Sequence, residues 1–161
     1  MRTLYVVRHA KSSWSDPGMD DFDRPLNERG LHDAHMMAER FDDRLEAVDL
    51  LMSSPASRAI TTANAFASIL ANAPVHELDE LYLATPSMLL SIIQRLPNGV
   101  RHAMLFGHNP GLSELVDHLT DNGLGDLPTC AIVRIDFDVD GWMEIATGSG
   151  MLKWWDTPKK G

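Results

Sequence analysis

Leu4-Tyr5-Val6-Val7-Arg8-His9 is an apolar run that ends in an arginine and a histidine. A short continuous apolar run reads as a buried strand, so Arg8 and His9 fall at its carboxyl end, where open α/β sheets build ligand crevices. The pattern recurs twice. Leu50-Leu51-Met52 leads into Ser53-Ser54-Pro55-Ala56-Ser57-Arg58, and Ala103-Met104-Leu105-Phe106 leads into Gly107-His108-Asn109-Pro110-Gly111. Three strand ends can therefore deliver Arg8, His9, Arg58 and His108 to one pocket, and an arginine beside a histidine suits phosphate chemistry.

Working outward, Ser12 to Pro25 is rich in Asp, Ser, Gly and Pro and reads as a long loop able to form a pocket wall or lid. Asn27 is placed to cap a helix predicted over Glu28 to Leu45, with a strand over Asp49 to Met52 after it. A helix from Ala56 to Ala71 would have Pro55 near its first turn, where a missing N–H costs least. Val75 to Leu78 reads as a short strand and Pro86 to Arg95 as a helix preceded by Thr85. Ala103 to Phe106 is the fourth strand, and Pro110-Gly111 opens a helix to Leu119. Asn122 to Asp126 is a loop. Ala131 to Phe137 and Trp142 to Thr147 flank Asp138 to Gly141 and read as a β-hairpin. The expectation is one α/β domain over 1–161, a three-layer α/β/α sandwich with a mainly parallel central sheet and an antiparallel edge.

A chain of 161 residues suits one domain, large enough to bury about two thirds of its unfolded surface without a disulfide or metal staple. Its single cysteine, Cys130, cannot form an internal bridge, and Cys130 to Val133 reads as strand interior, so the thiol is expected to be buried packing. No leader-like segment precedes the first strand and no apolar run reaches membrane-spanning length, so a cytoplasmic protein without membrane association is expected. The formal net charge of −9 disfavours nucleic acid as a partner. For anionic substrates that charge poses a problem, which Arg8, Lys11, Arg24 and Arg58 would solve by forming one cationic well in an acidic surface. Oligomeric state leaves no signal in the sequence.

Phosphate hydrolysis needs a nucleophile, stabilisation of charge on three equatorial oxygens and usually a proton for the leaving group. His9 is the natural nucleophile, since a neutral imidazole nitrogen can attack phosphorus and form a phosphohistidine that water later cleaves. Positive charge from Arg8 and Arg58 disfavours protonation of His9, and their forks match phosphate oxygens. His108 is cast as a donor to the transferring group, with N–H groups near Asn109 and the following helix start adding to it. No metal is expected. There is no Cys-x-x-Cys pair or His-Glu-x-x-His helix, and arginines beside the candidate ligands would repel a divalent cation. No organic cofactor is implied. His32, His35, His76, His102 and His118 stand apart from these motifs and are read as structural.

The matching residues also carry a family likeness. Arg8-His9-Ala10-Lys11-Ser12, Arg24-Pro25-Leu26-Asn27 with Arg29-Gly30, Ser53-Ser54-Pro55 with Arg58-Ala59 and Thr62-Ala63, and Gly107-His108-Asn109-Pro110-Gly111 stand in the family order. The chain resembles the histidine phosphatase superfamily, with its phosphoglycerate mutase-like fold, and most closely the small SixA-type phosphohistidine phosphatases. The resemblance implies that Arg8, His9, Arg58 and His108 make the phosphate pocket. Lys11, Ser12, Ser15, Arg24 and Asn109 are the further candidates for substrate binding. Relatives close to phosphoglycerate mutase have Arg-His-Gly and then Asn, whereas Ala10 and Ser15 stand at the matching places here. They also carry a general acid in the stretch that holds Glu77, Asp79 and Glu80, of which Glu80 is the candidate, while SixA-type chains lack a clear acid there. The activity implied is a metal-independent phosphatase with a phosphohistidine intermediate, acting on phosphohistidine in a protein or a similarly activated small phosphate. A phosphatase or mutase of small phosphate esters and a non-catalytic phosphate-binding module are the alternatives.

Overall fold

The computed structural model describes residues 1–70 and 73–160. Among these residues six strands form one sheet: β1 (Arg2–Arg8), β2 (Leu50–Ser53), β3 (Val75–Glu77), β4 (His102–Gly107), β5 (Ile132–Phe137) and β6 (Gly150–Asp156). Their order is β3-β2-β4-β1-β5-β6; β1, β2, β3 and β4 run parallel, and β5 and β6 add an antiparallel edge. Four α-helices among the described residues cover it: α1 (Glu28–Asp43), α2 (Ser57–Ile69), α3 (Pro86–Gln94) and α4 (Gly111–Thr120).

The two-residue period of a strand explains the layers. Tyr5 and Val7 of β1 join Met104 and Phe106 of β4 in a core with Met37 and Phe41 of α1 and Phe66 of α2. Leu4 and Val6 join Ala103 and Leu105 on the opposite face, against Leu89, Ile92 and Ile93 of α3 and Leu112, Leu115 and Leu119 of α4. A sheet buried on both faces needs this near-continuous apolar reading, and the three-layer expectation holds.

Local chemistry sets the helix starts. Asn27 Oδ1 accepts the Gly30 N–H at 2.8 Å, and Thr85 Oγ1 accepts the Met88 N–H at 3.2 Å ahead of Pro86. α1 stops two residues short of the predicted Leu45, which takes a left-handed backbone with φ 57° and stands 91% exposed. α2 ends at Ile69, and the predicted terminus Ala71 lies outside the described residues.

The hairpin's second arm is a correction. Trp142–Glu144 is a 3-10 turn, and the strand that pairs with β5 is Gly150–Asp156. Trp142 is fully buried and donates its indole N–H to Val100 O at 2.6 Å, while the Glu144 carboxylate accepts the backbone N–H groups of Asp140 and Gly141. A buried tryptophan with a satisfied N–H and a capped turn outweigh strand propensity there. Cys130 is also placed differently, in a turn ahead of β5 with φ 62°, although its thiol is buried as expected. Among the described residues no helix is long and apolar enough to cross a membrane.

Candidate active site

The carboxyl ends of β1, β4 and β2 lie side by side and build the site. Arg8 pairs in register with Gly107 of β4, and Ser53 of β2 pairs with Phe106, so residues 8–9, 107–108 and 53–54 emerge together. His9 N–H donates to Gly107 O, and Ser54 N–H donates to Phe106 O, each at 3.1 Å. α2 begins directly after this end of β2 and carries Arg58 in its first turn. Thr62 Oγ1 donates to Arg58 O at 2.8 Å and accepts the Ala10 N–H at 3.0 Å, tying that turn to the backbone after His9.

His9 and His108 face each other with ring centroids 5.2 Å apart. The Ala10 carbonyl lies 2.7 Å from His9 Nδ1 and can only accept, so Nδ1 carries the hydrogen and Nε2 carries the lone pair. That lone pair accepts a long hydrogen bond from Arg58 Nε–H at 3.4 Å. Burial pushes the His9 pKa down to about 4 and the nearby guanidinium groups of Arg58, Arg8 and Arg24 add to the effect. His108 is pushed down to about 3, first by burial and then by Arg58. Its Nε2 is hydrogen-bonded to Ser54 Oγ at 2.8 Å, and its Nδ1 is buried with no partner among the described residues. Both rings are neutral near pH 7.

The arginines are held by a residue that sequence reasoning missed. Asp21 sits in a short 3-10 turn, Asp21–Asp23, within the long loop after β1. Its Oδ1 accepts from Arg24 at 2.6 Å, and its Oδ2 accepts from Arg58 at 3.0 Å and from the Tyr82 hydroxyl at 2.6 Å. Its carbonyl takes a further bond from Arg58 at 2.7 Å. The Tyr82 hydroxyl, and then Arg24 and Arg58, hold this carboxyl well below the usual carboxylate range. Arg24 also donates to Ser12 Oγ at 2.5 Å and lies under the Trp14 ring, 3.7 Å from its centroid. The one sequence signal for Asp21 is its place three residues before Arg24; Tyr82 gives none.

Eight of the ten predicted site residues line one cavity of about 400 Å³: Arg8, His9, Lys11, Ser12, Arg24, Arg58, His108 and Asn109. Trp14, Asp21, Leu83 and Thr129 complete its wall. Ser15 is outside it, exposed and hydrogen-bonded to Ser13 Oγ at 2.9 Å. Glu80 is outside it too, paired with Arg95 at 2.9 Å on the exposed surface. The 3-10 turn Asp79–Leu81 buries Leu81 and leaves Glu80 facing solvent. Asn109 braces the wall: its amide donates to Leu127 O, the carbonyl that Arg8 also uses, and its Oδ1 accepts from Ser113. Chemically, the cavity offers a neutral imidazole lone pair among four cationic side chains, a setting for attack on a phosphoryl group.

The family profile described as histidine phosphatase superfamily (branch 1) matches residues 4–82. A chain of Agrobacterium tumefaciens assigned as the phosphohistidine phosphatase SixA is 30% identical and superposes with a TM-score of 0.85, covering 98% of each chain. The protein histidine phosphatase SixA solved with tungstate is similar in fold, with a TM-score of 0.83 at 23% identity over 98% of this chain and 97% of that one. An uncharacterized protein of Mycobacterium tuberculosis is 29% identical over 162 residues, which is 95% of this chain and 100% of that protein.

Proposed function

The chain belongs to the histidine phosphatase superfamily, in its SixA-type branch, and from that premise we propose a phosphatase that works through a phosphohistidine on His9 and takes phosphohistidine in a protein, or a similarly activated phosphate, as its substrate. One observation carries the reading: the Ala10 carbonyl fixes the His9 hydrogen on Nδ1, so the reactive lone pair is the Nε2 beside Arg58.

In the first step Nε2 attacks phosphorus, and the bond to the leaving group breaks with its electron pair staying on that group. Arg8, Arg24 and Arg58 face the equatorial oxygens, where charge spreads in a loose transition state. An entering phosphoryl dianion offsets the arginine charge that adds to burial in keeping His108 neutral, so it favours a proton there and makes His108 a charge-assisted donor to the transferring group. In the second step water attacks the phosphohistidine and frees Nε2. Among the described residues Asp21 brings the one carboxyl in the cavity wall, and it is committed as a carboxylate, so no carboxylic acid stands there for a poor leaving group. That favours leaving groups that depart readily, phosphohistidine and aryl phosphates over alkyl phosphates.

The test is to trap the intermediate. Wild-type protein quenched in alkali after brief exposure to labelled substrate should hold an alkali-stable, acid-labile phosphate on His9. Label on a serine or an aspartate, or none in His9 under burst conditions, rules the mechanism out. Chelators should leave the rate unchanged; a rate that vanishes with chelation and returns with a divalent ion contradicts the metal-independent part of the proposal.

A further inference from the structure

The catalytic cavity has a neighbour of about 280 Å³ that shares Leu83, His108 and Asn109 with it. The two differ in charge. Arg8, Lys11, Arg24 and Arg58 line the first against the carboxylate of Asp21, whereas among the described residues the second is lined by no Lys or Arg and by one carboxylate, Glu114. The remaining surface is largely apolar, from Leu83, Ala84, Pro86 and Pro110.

The walls are built closely. A Cβ on Gly111 would stand 2.1 Å from Ala84 O, so the start of α4 and the segment before α3 meet backbone to backbone. Leu83, on the boundary between the cavities, holds a left-handed backbone with φ 50° and keeps its side chain 55% exposed. A non-glycine residue kept in that region is a strained feature of the kind that gathers at functional sites. Glu114 stands in the first turn of α4 with its side chain exposed.

We propose that this second cavity receives the leaving group and is suited to a flat nitrogen heterocycle that carries an N–H, the imidazole of phosphohistidine, with Glu114 as the acceptor. The proposal rests on the phosphatase reading above and names the leaving-group half of that site. The phosphoryl dianion goes to the cations, which sets the rest of the substrate on the side of the shared wall. An anionic leaving group such as a carboxylate or a second phosphate meets Glu114 there and is disfavoured, while an imidazole lays its ring on Leu83 and the prolines and offers its N–H to the carboxylate.

The chemistry gains from that contact. As the bond from His9 Nε2 to phosphorus forms, the bond from phosphorus to the substrate nitrogen breaks and its electron pair stays on that nitrogen. With a proton already on the far nitrogen of the ring, the ring leaves as neutral imidazole and needs no proton at the departing atom. A carboxylate accepting from the far N–H favours that protonated ring, so the site works without a general acid at the position of Glu80.

The test uses the full chain with Glu114→Gln, which keeps the side-chain size at an exposed position and removes the charge. The first readout is the ratio of kcat/KM on a phosphohistidine peptide to kcat/KM on p-nitrophenyl phosphate, whose leaving group has no N–H. We expect Glu114→Gln to lower this ratio about tenfold or more, and Glu80→Gln, outside both cavities, to keep it within about twofold. The second readout is inhibition of p-nitrophenyl phosphate hydrolysis by added imidazole, expected to weaken at least about fivefold in Glu114→Gln. An unchanged ratio, or equal inhibition of both proteins by imidazole, overturns the proposal. A wild type that turns over p-nitrophenyl phosphate and leaves phosphohistidine untouched overturns the substrate reading alone, and the imidazole series still decides the cavity.

Discussion

One hydrogen bond, from His9 Nδ1 to Ala10 O, leaves the lone pair of that ring on Nε2, and one carboxylate, Asp21, holds Arg24 and Arg58 beside it. His9→Ala should remove turnover by about 10³ or more while far-UV circular dichroism stays that of wild type. The His9 ring borders the cavity, so its loss enlarges a polar hollow and leaves the apolar core untouched. A His9→Ala protein with most of its activity excludes the nucleophile assignment. Asp21→Asn separates aiming from binding. Without the charge the forks of Arg24 and Arg58 lose their anchor, and kcat should fall roughly tenfold to a hundredfold. Removing a negative charge beside an anion site cannot weaken anion binding by repulsion, so tungstate should compete at least as well as before. Should kcat hold while tungstate binds much tighter, Asp21 is a plug over the arginines and not their brace.

At the scale of elements, the strand ends and the glycines that let loops approach them explain both what the sequence disclosed and what it hid. Residue patterns within a few positions were legible: the apolar runs of β1 and β4, the caps Asn27 and Thr85, and the residues each strand end hands to the cavity. Asp21 and Tyr82 were hidden because their role depends on contacts across 37 and 61 residues of chain, made by a loop with no periodicity. Trp142 was misread because its apolar neighbours mimic a strand, and only the Val100 carbonyl and the capping Glu144 reveal a turn. Ser15 and Glu80 were drawn in by position alone, and one exposed turn and one exposed ion pair account for where they went. The loop after β1 is pinned to α1 by Asn27 N–H on Lys11 O and by a bridge between Ser12 and Leu26. A Cβ on Gly30 would come within 2.1 Å of that same Lys11 carbonyl. Gly30→Ala should therefore cost about 1–3 kcal/mol, read as a fall of several degrees in Tm, and should lower turnover as Lys11 and Ser12 are displaced. An alanine variant with the Tm and kcat of wild type shows that the contact is looser than the geometry indicates.

Across the whole molecule, a chain of formal charge −9 gathers Arg8, Arg24 and Arg58 around two buried imidazoles, and that concentration couples the site to the stability of the fold. A histidine whose folded pKa lies below the ordinary 6.5 binds fewer protons folded than unfolded between those two values. Stability therefore rises with pH through that window and falls as pH falls. For His9 the window runs from 6.5 down to about 4, and for His108 from 6.5 down to about 3. The carboxylates held below their ordinary 3.8, Asp21, Asp49 and Asp136, add their own loss only below that value. A series of urea midpoints from about pH 7 to about pH 4.5 thus isolates the histidines from those carboxylates, and each pH unit below 6.5 should cost on the order of 1 kcal/mol per buried histidine. His108→Gln should flatten the decline. Saturating tungstate should stabilise the fold most at the acid end, because a bound dianion favours the imidazolium forms that burial and the arginines resist. A decline equally steep in His9→Ala, His108→Gln and wild type means that the two rings already titrate near 6.5 in the fold; their burial then does not keep them neutral, and the unprotonated Nε2 of the proposed nucleophile owes nothing to its surroundings.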